Sequence, residues 1–194
     1  MNEDETPNAK HTLPPFWIRT LLAVWLLAGL IPVLLKILLG IQYIPSPDWA
    51  SQVYIPATIS GAALAVFLVW AVVKGLAING NEMGKLKKYA VILFTPLMGF
   101  WIGSSAVTVG GPMIVTMFSD NVVEIPFTVT RVKQDVDRKC RNPIRLDDGL
   151  PFTFDRLCGF SEQFGRSLEV GGHILVVGQG TKMGVFVKSA HRLD

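Results

Sequence analysis

The chain has 194 residues, half of them hydrophobic, and a formal net charge of +3. Its positive mean hydropathy sets it among small membrane proteins, and a charge this small does not point to a nucleic-acid partner. Two cysteines without a close pair or a histidine cluster cannot complete a tetrahedral zinc shell, and no cofactor is expected.

Residues 1–15 are polar, carry Glu3, Asp4 and Glu5, and read as a disordered cytoplasmic tail. Three long apolar stretches follow. Residues 17–41 are interrupted only by Arg19 and Lys36, residues 49–73 carry no charge, and neither do residues 89–119. An α-helix needs about 20 apolar residues to cross the hydrocarbon layer, so spans are expected over about 17–41, 53–77 and 89–110, within a transmembrane region 16–118. The first run is too long for a signal-peptide core and lacks a small-residue cleavage site, so it reads as an uncleaved anchor.

Lys and Arg collect on the cytoplasmic flanks of spans. Lys10 and Arg19 precede the first span, and Lys74, Lys85, Lys87 and Lys88 surround the second connection. The first connection, residues 42–51, has neither Lys nor Arg and one acid, Asp48. This bias puts the amino terminus inside, with the first connection and everything after the third span outside. A multi-pass protein of a bacterial inner membrane, with a periplasmic carboxy-terminal domain, is therefore expected. Lys36 sits at the outer end of span one, where its stem can snorkel to the headgroups. Trp17, Tyr43, Trp49, Tyr54 and Tyr89 fall near span ends as interfacial aromatics. Pro45 and Pro47 mark the first connection, and Asn79-Gly80-Asn81 a bend after span two.

In span three, Gly99 and Gly103 share one helix face, which suits either packing against Gly61 and Ala65 of span two or a homo-oligomer seam. Pro96 predicts a kink. Gly110-Gly111-Pro112 predicts the end of the regular helix, with residues 113–118 leading outward; a continuous, twice-kinked helix is the alternative. None of the spans holds an Asp, Glu or His of the kind proton relays use.

Residues 119–194 change to a β pattern. Phe127, Val129, Arg131 and Lys133 alternate with Thr128, Thr130 and Val132. Residues 152–157 are a short strand candidate, residues 161–168 a short helix, and residues 173–178 and 183–189 a hairpin with Gly180 in its turn. The expected fold is thus three transmembrane helices followed by a compact β-barrel or sandwich domain of OB- or SH3-like size. Cys140 and Cys158 flank a turn-rich stretch, and an extracytoplasmic compartment permits a disulfide between them.

No sequence pattern specifies catalysis. The glycines from Gly178 to Gly184 precede a strand rather than a phosphate-binding helix. Asp147-Asp148-Gly149 lacks the spaced ligands of a calcium loop. His173 with Ser161 or Ser167 lacks a nucleophile elbow. The charge concentration at Arg138, Lys139, Arg141 and Arg145, with Lys182 in the hairpin, is a candidate partner contact, for lipid phosphates or an acidic protein, or a solvated loop balanced by Asp135, Asp137, Asp147 and Asp148. The expectation is a non-catalytic membrane binding protein whose outer domain engages a protein partner, such as an immunity protein against a membrane-acting toxin or an accessory subunit of an envelope complex. The alternative is a small oligomeric channel or transporter component, a homo-oligomer built through Gly99 and Gly103.

Overall fold

The computed structural model describes residues 16–79, 84–132, 140, 142–146 and 149–193. The expected tail, the Gly80-Asn81 bend, Arg138, Lys139, Arg141 and the Asp147-Asp148 pair lie outside the described residues.

Three helices are long and apolar enough to cross a membrane. Helix α1 runs from Phe16–Leu39 and stops at Gly40, whose φ of 66° is the left-handed conformation that ends helices. A three-residue strand β1 (Tyr43–Pro45) and a single-turn helix α2 (Pro47–Gln52) follow; Ser46 caps α2 by accepting from the Trp49 N–H. Helix α3 spans Tyr54–Asn79 and α4 spans Lys85–Ser105.

The third apolar helix does not end at Gly110. Residues Ala106–Gly110 form a π-helical turn, and α5 (Gly111–Met117) continues it. Pro112 lacks an N–H, and in an α-helix its ring would strike the carbonyl four residues back. The wider π turn lets the chain pass Pro112 without breaking.

Glycines set how closely these helices approach. A Cβ on Gly99 would lie 2.8 Å from the Ala65 Cα, and one on Gly103 would lie 2.9 Å from the Gly61 Cα. On the other side, Gly29 of α1 lies against the Ile102 carbonyl, and Gly110 against that of Ala28. The Trp25 indole donates to the Ser60 hydroxyl at 3.1 Å, and Ser60 donates to the Gly103 carbonyl at 2.8 Å, so one hydrogen-bond chain stitches α1, α3 and α4.

The rest is a curled antiparallel six-strand sheet, a half-barrel. It contains β2 (Val122–Val132), β3 (Ile144–Leu146), β4 (Arg156–Leu157), β5 (His173–Thr181) and β6 (Gly184–Arg192), with helix α6 (Glu162–Ser167) between β4 and β5. The strand order is β1-β6-β5-β2-β3-β4, so the segment between α1 and α3 forms one edge of the sheet. Three details differ from the sequence reading. The β5–β6 turn is Lys182-Met183, and Gly180 lies within β5 opposite Val185. Its missing side chain leaves room for the Val123 Cγ2, which a Cβ would meet at 2.6 Å. Of residues 152–157, only the last two are strand. Tyr43, expected at a bilayer interface, is fully buried.

Two cores explain why helices and sheet form one body. Inside the curl, Phe127, Val129, Ile144, Leu146, Leu157, Ile174 and Val176 pack with Ile44 from β1. A second core joins Val33 of α1, Val109 of the π turn and Met113 of α5 to Tyr43 and Phe154. An apolar helix end and an apolar sheet edge thus bury each other.

Candidate functional site

The two edge strands of the half-barrel meet at one point. Gln42 immediately precedes β1, and Cys158 immediately follows β4. The Gln42 side-chain amide donates to the Cys158 carbonyl at 2.7 Å and accepts from the Cys158 N–H at 3.0 Å. The amide behaves like the peptide group of a missing neighbour strand, satisfying both backbone groups at the sheet edge. Cys158 is joined to Cys140 by a disulfide with a Cα–Cα distance of 5.0 Å.

Beside this bridge, between the end of α1 and the segment before β4, lies a cleft of about 510 Å³. Val33, Lys36 and Ile37 form its helical wall, and Phe152, Thr153 and Arg156 the opposite one. The Lys36 side chain, expected to snorkel, turns toward the sheet. Its Nζ donates to the Thr153 carbonyl at 2.6 Å and sits 5.0 Å from the centre of the Phe154 ring. A charge in the apolar run thus serves as a tether between helix and sheet.

Behind the cleft, the buried Asp155 is shared by two arginines. The Arg145 Nε lies 3.6 Å from one carboxylate oxygen and the Arg156 Nε 3.5 Å from the other. Both guanidinium groups also stack near the Phe152 ring, at 5.7 and 5.2 Å from its centre. With Lys36, three cations surround one carboxylate. Thr153 Oγ1 and Arg156 Nε are buried, and neither has a hydrogen-bond partner among the described residues.

The sequence candidates fall in different places. Arg145 joins the Asp155 cluster. Lys182 is exposed at the hairpin turn, but that turn lies at the helix junction rather than at a free tip: Ser46 Oγ donates to the Lys182 carbonyl and the Ser46 N–H to that of Met183. Gly99 and Gly103 face α3 of the same chain. His173 faces Thr128 at 3.4 Å, while Ser161 and Ser167 bond to the backbone of α6, so these residues do not assemble a nucleophile and base. Among the described residues, there is no group of three or more His, Cys, Asp or Glu able to hold a metal.

Sequence reasoning missed Gln42, Phe152, Asp155 and Arg156. The one visible signal was Lys36, a lone charge near the end of an apolar run. Comparison with protein-family models, curated proteins and solved structures finds no match.

Proposed function

We propose that this chain is a non-catalytic, multi-pass protein of a bacterial inner membrane, whose periplasmic β domain engages a protein partner at the membrane surface. The observation that carries this reading is the weld between sheet and helices. Strand β1 pairs with β6 by main-chain hydrogen bonds, Gln42 bridges to Cys158, and Lys36 ties α1 to Thr153. A sheet fixed at three points on a membrane anchor presents its surface at constant height and angle. Such preorganisation lowers the entropic cost of binding a partner. Guarding against a membrane-acting toxin and serving an envelope complex are two jobs that use such a surface.

The Lys and Arg bias of the flanks supports the periplasmic side. The alternative, an oligomeric channel component, needs Gly99 and Gly103 at a seam between chains, yet Gly61 and Ala65 of the same chain occupy that face.

A photo-crosslinking residue at position 138 or 141, used in native membranes, tests the proposal. The expected result is one discrete heterologous adduct that disappears when the remaining basic residues among Arg138, Lys139 and Arg141 are reversed in charge. Adducts of this chain with itself alone would instead support the oligomer.

A further inference from the structure

We propose that the cleft between α1 and the β4 segment is a binding site for the phosphoryl headgroup of an anionic membrane lipid. The inference rests on placement of the helices in a bilayer, not on the protein partner.

Four observations converge on it. First, the charge balance among the described residues is uneven: Lys36 and Arg156 on the cleft wall, with Arg145 behind them, stand against Asp155. Each arginine meets Asp155 through Nε, and a guanidinium has a second, forked Nη edge of the geometry a phosphate takes. Second, the Thr153 hydroxyl is buried on the cleft wall without a hydrogen-bond partner among the described residues. An orphaned buried donor is costly, and an oxyanion entering the cleft would accept from it. Third, height is set by the helix. Lys36 lies three residues before the end of α1, about 4.5 Å along its axis, at the boundary between hydrocarbon and headgroups. Fourth, the flanks are apolar. Ile37 is 57% exposed and Phe152 is 70% exposed beside the two guanidinium groups. A cationic wall flanked by open apolar surface matches an amphiphile with an anionic head better than a free anion.

The test uses the full chain in bilayer discs containing equal amounts of phosphatidylglycerol and phosphatidylcholine. Lipids retained after gentle extraction are identified by native mass spectrometry. The parent is expected to retain phosphatidylglycerol preferentially. Arg156→Gln and Lys36→Gln should each weaken retention by about tenfold, the scale of one charge-assisted contact. Arg166→Gln, on α6 and outside the cleft lining, should not change it. Because both cleft variants could disturb packing, Phe152→Ser on the exposed rim is run alongside, with an intact Cys140–Cys158 bridge as the folding check; a several-fold loss is expected.

Equal retention of the two lipids, or retention indifferent to these substitutions, overturns the site. Displacement by millimolar inorganic phosphate as readily as by a short-chain phosphatidylglycerol overturns the lipid as its source. Resistance of the chain to alkaline extraction is measured in parallel. A chain that inserts but does not discriminate sinks the lipid site only, whereas one that does not insert sinks the membrane reading as well.

Discussion

Tyr43 is the largest fully buried side chain at the junction, and its hydroxyl lies beside Gly184 and Thr116 without a hydrogen bond of good geometry among the described residues. Burial pushes the phenol well above the usual tyrosine range, and the Thr116 hydroxyl pulls it back slightly. Below about pH 10 the phenol is neutral in both folded and unfolded chains. Above that, the unfolded chain releases the proton while the folded one holds it, so stability falls as pH rises. Tyr43→Phe should therefore change stability by less than about 1 kcal/mol at neutral pH, since it deletes a hydroxyl that lacks a partner. Its unfolding free energy in micelles should also decline less than the parent's above about pH 10. Parallel curves would show that another group governs the alkaline loss. Gln42 makes the opposite case, because its amide satisfies both backbone groups of Cys158. Gln42→Ala should cost about 1–3 kcal/mol, and Gln42→Glu at least as much, because the carboxylate accepts from the N–H but sets its other oxygen against the Cys158 carbonyl. Chemical denaturation of both variants decides this.

The elements hold together through features of very different legibility. The three apolar helices were plain in the sequence because each is a local, nearly continuous apolar pattern. A short helix was legible over residues 161–168 for the same reason, and α6 occupies Glu162–Ser167 of it. Strand β1 was invisible: three residues ending in Pro45 acquire strand geometry only because β6, some 140 positions later, supplies the partner. The passage of the third helix through Pro112 was misjudged because a π turn leaves no compositional mark. Within the helices, close backbone approach should outweigh side-chain hydrogen bonding. Gly103→Leu drives its side chain into the Ser60 carbonyl and the Gly61 backbone and is expected to cost about 3 kcal/mol or more. Ser60→Ala breaks both links of the Trp25–Ser60–Gly103 chain, yet is expected to cost only about 1–2 kcal/mol. Unfolding in mixed detergent micelles ranks the two, and the reverse order would mean that the polar chain dominates.

For the molecule as a whole, the pairing of β1 with β6 constrains topology independently of charge. β1 lies between α1 and α3, whereas β6 lies beyond α5, so both ends of the α3–α4–α5 hairpin meet on one face. That agrees with a single crossing by α1 and a double crossing by the hairpin. The native cysteines are bonded to each other, so each introduced cysteine reports alone. With a membrane-impermeant maleimide on intact spheroplasts, Asp48→Cys and Lys182→Cys should react together. Lys87→Cys, in the lysine-rich segment at the start of α4, should react only after permeabilisation. All three positions are exposed in the structure. The pattern of labelling separates two ideas that the charge bias alone leaves joined. If positions 48 and 182 react together but only after permeabilisation, the fold stands and its orientation is reversed. If one reacts from outside and the other does not, the edge strand cannot be seated on the sheet in the membrane. The Gln42 bridge and the cleft beside it would then fall with it.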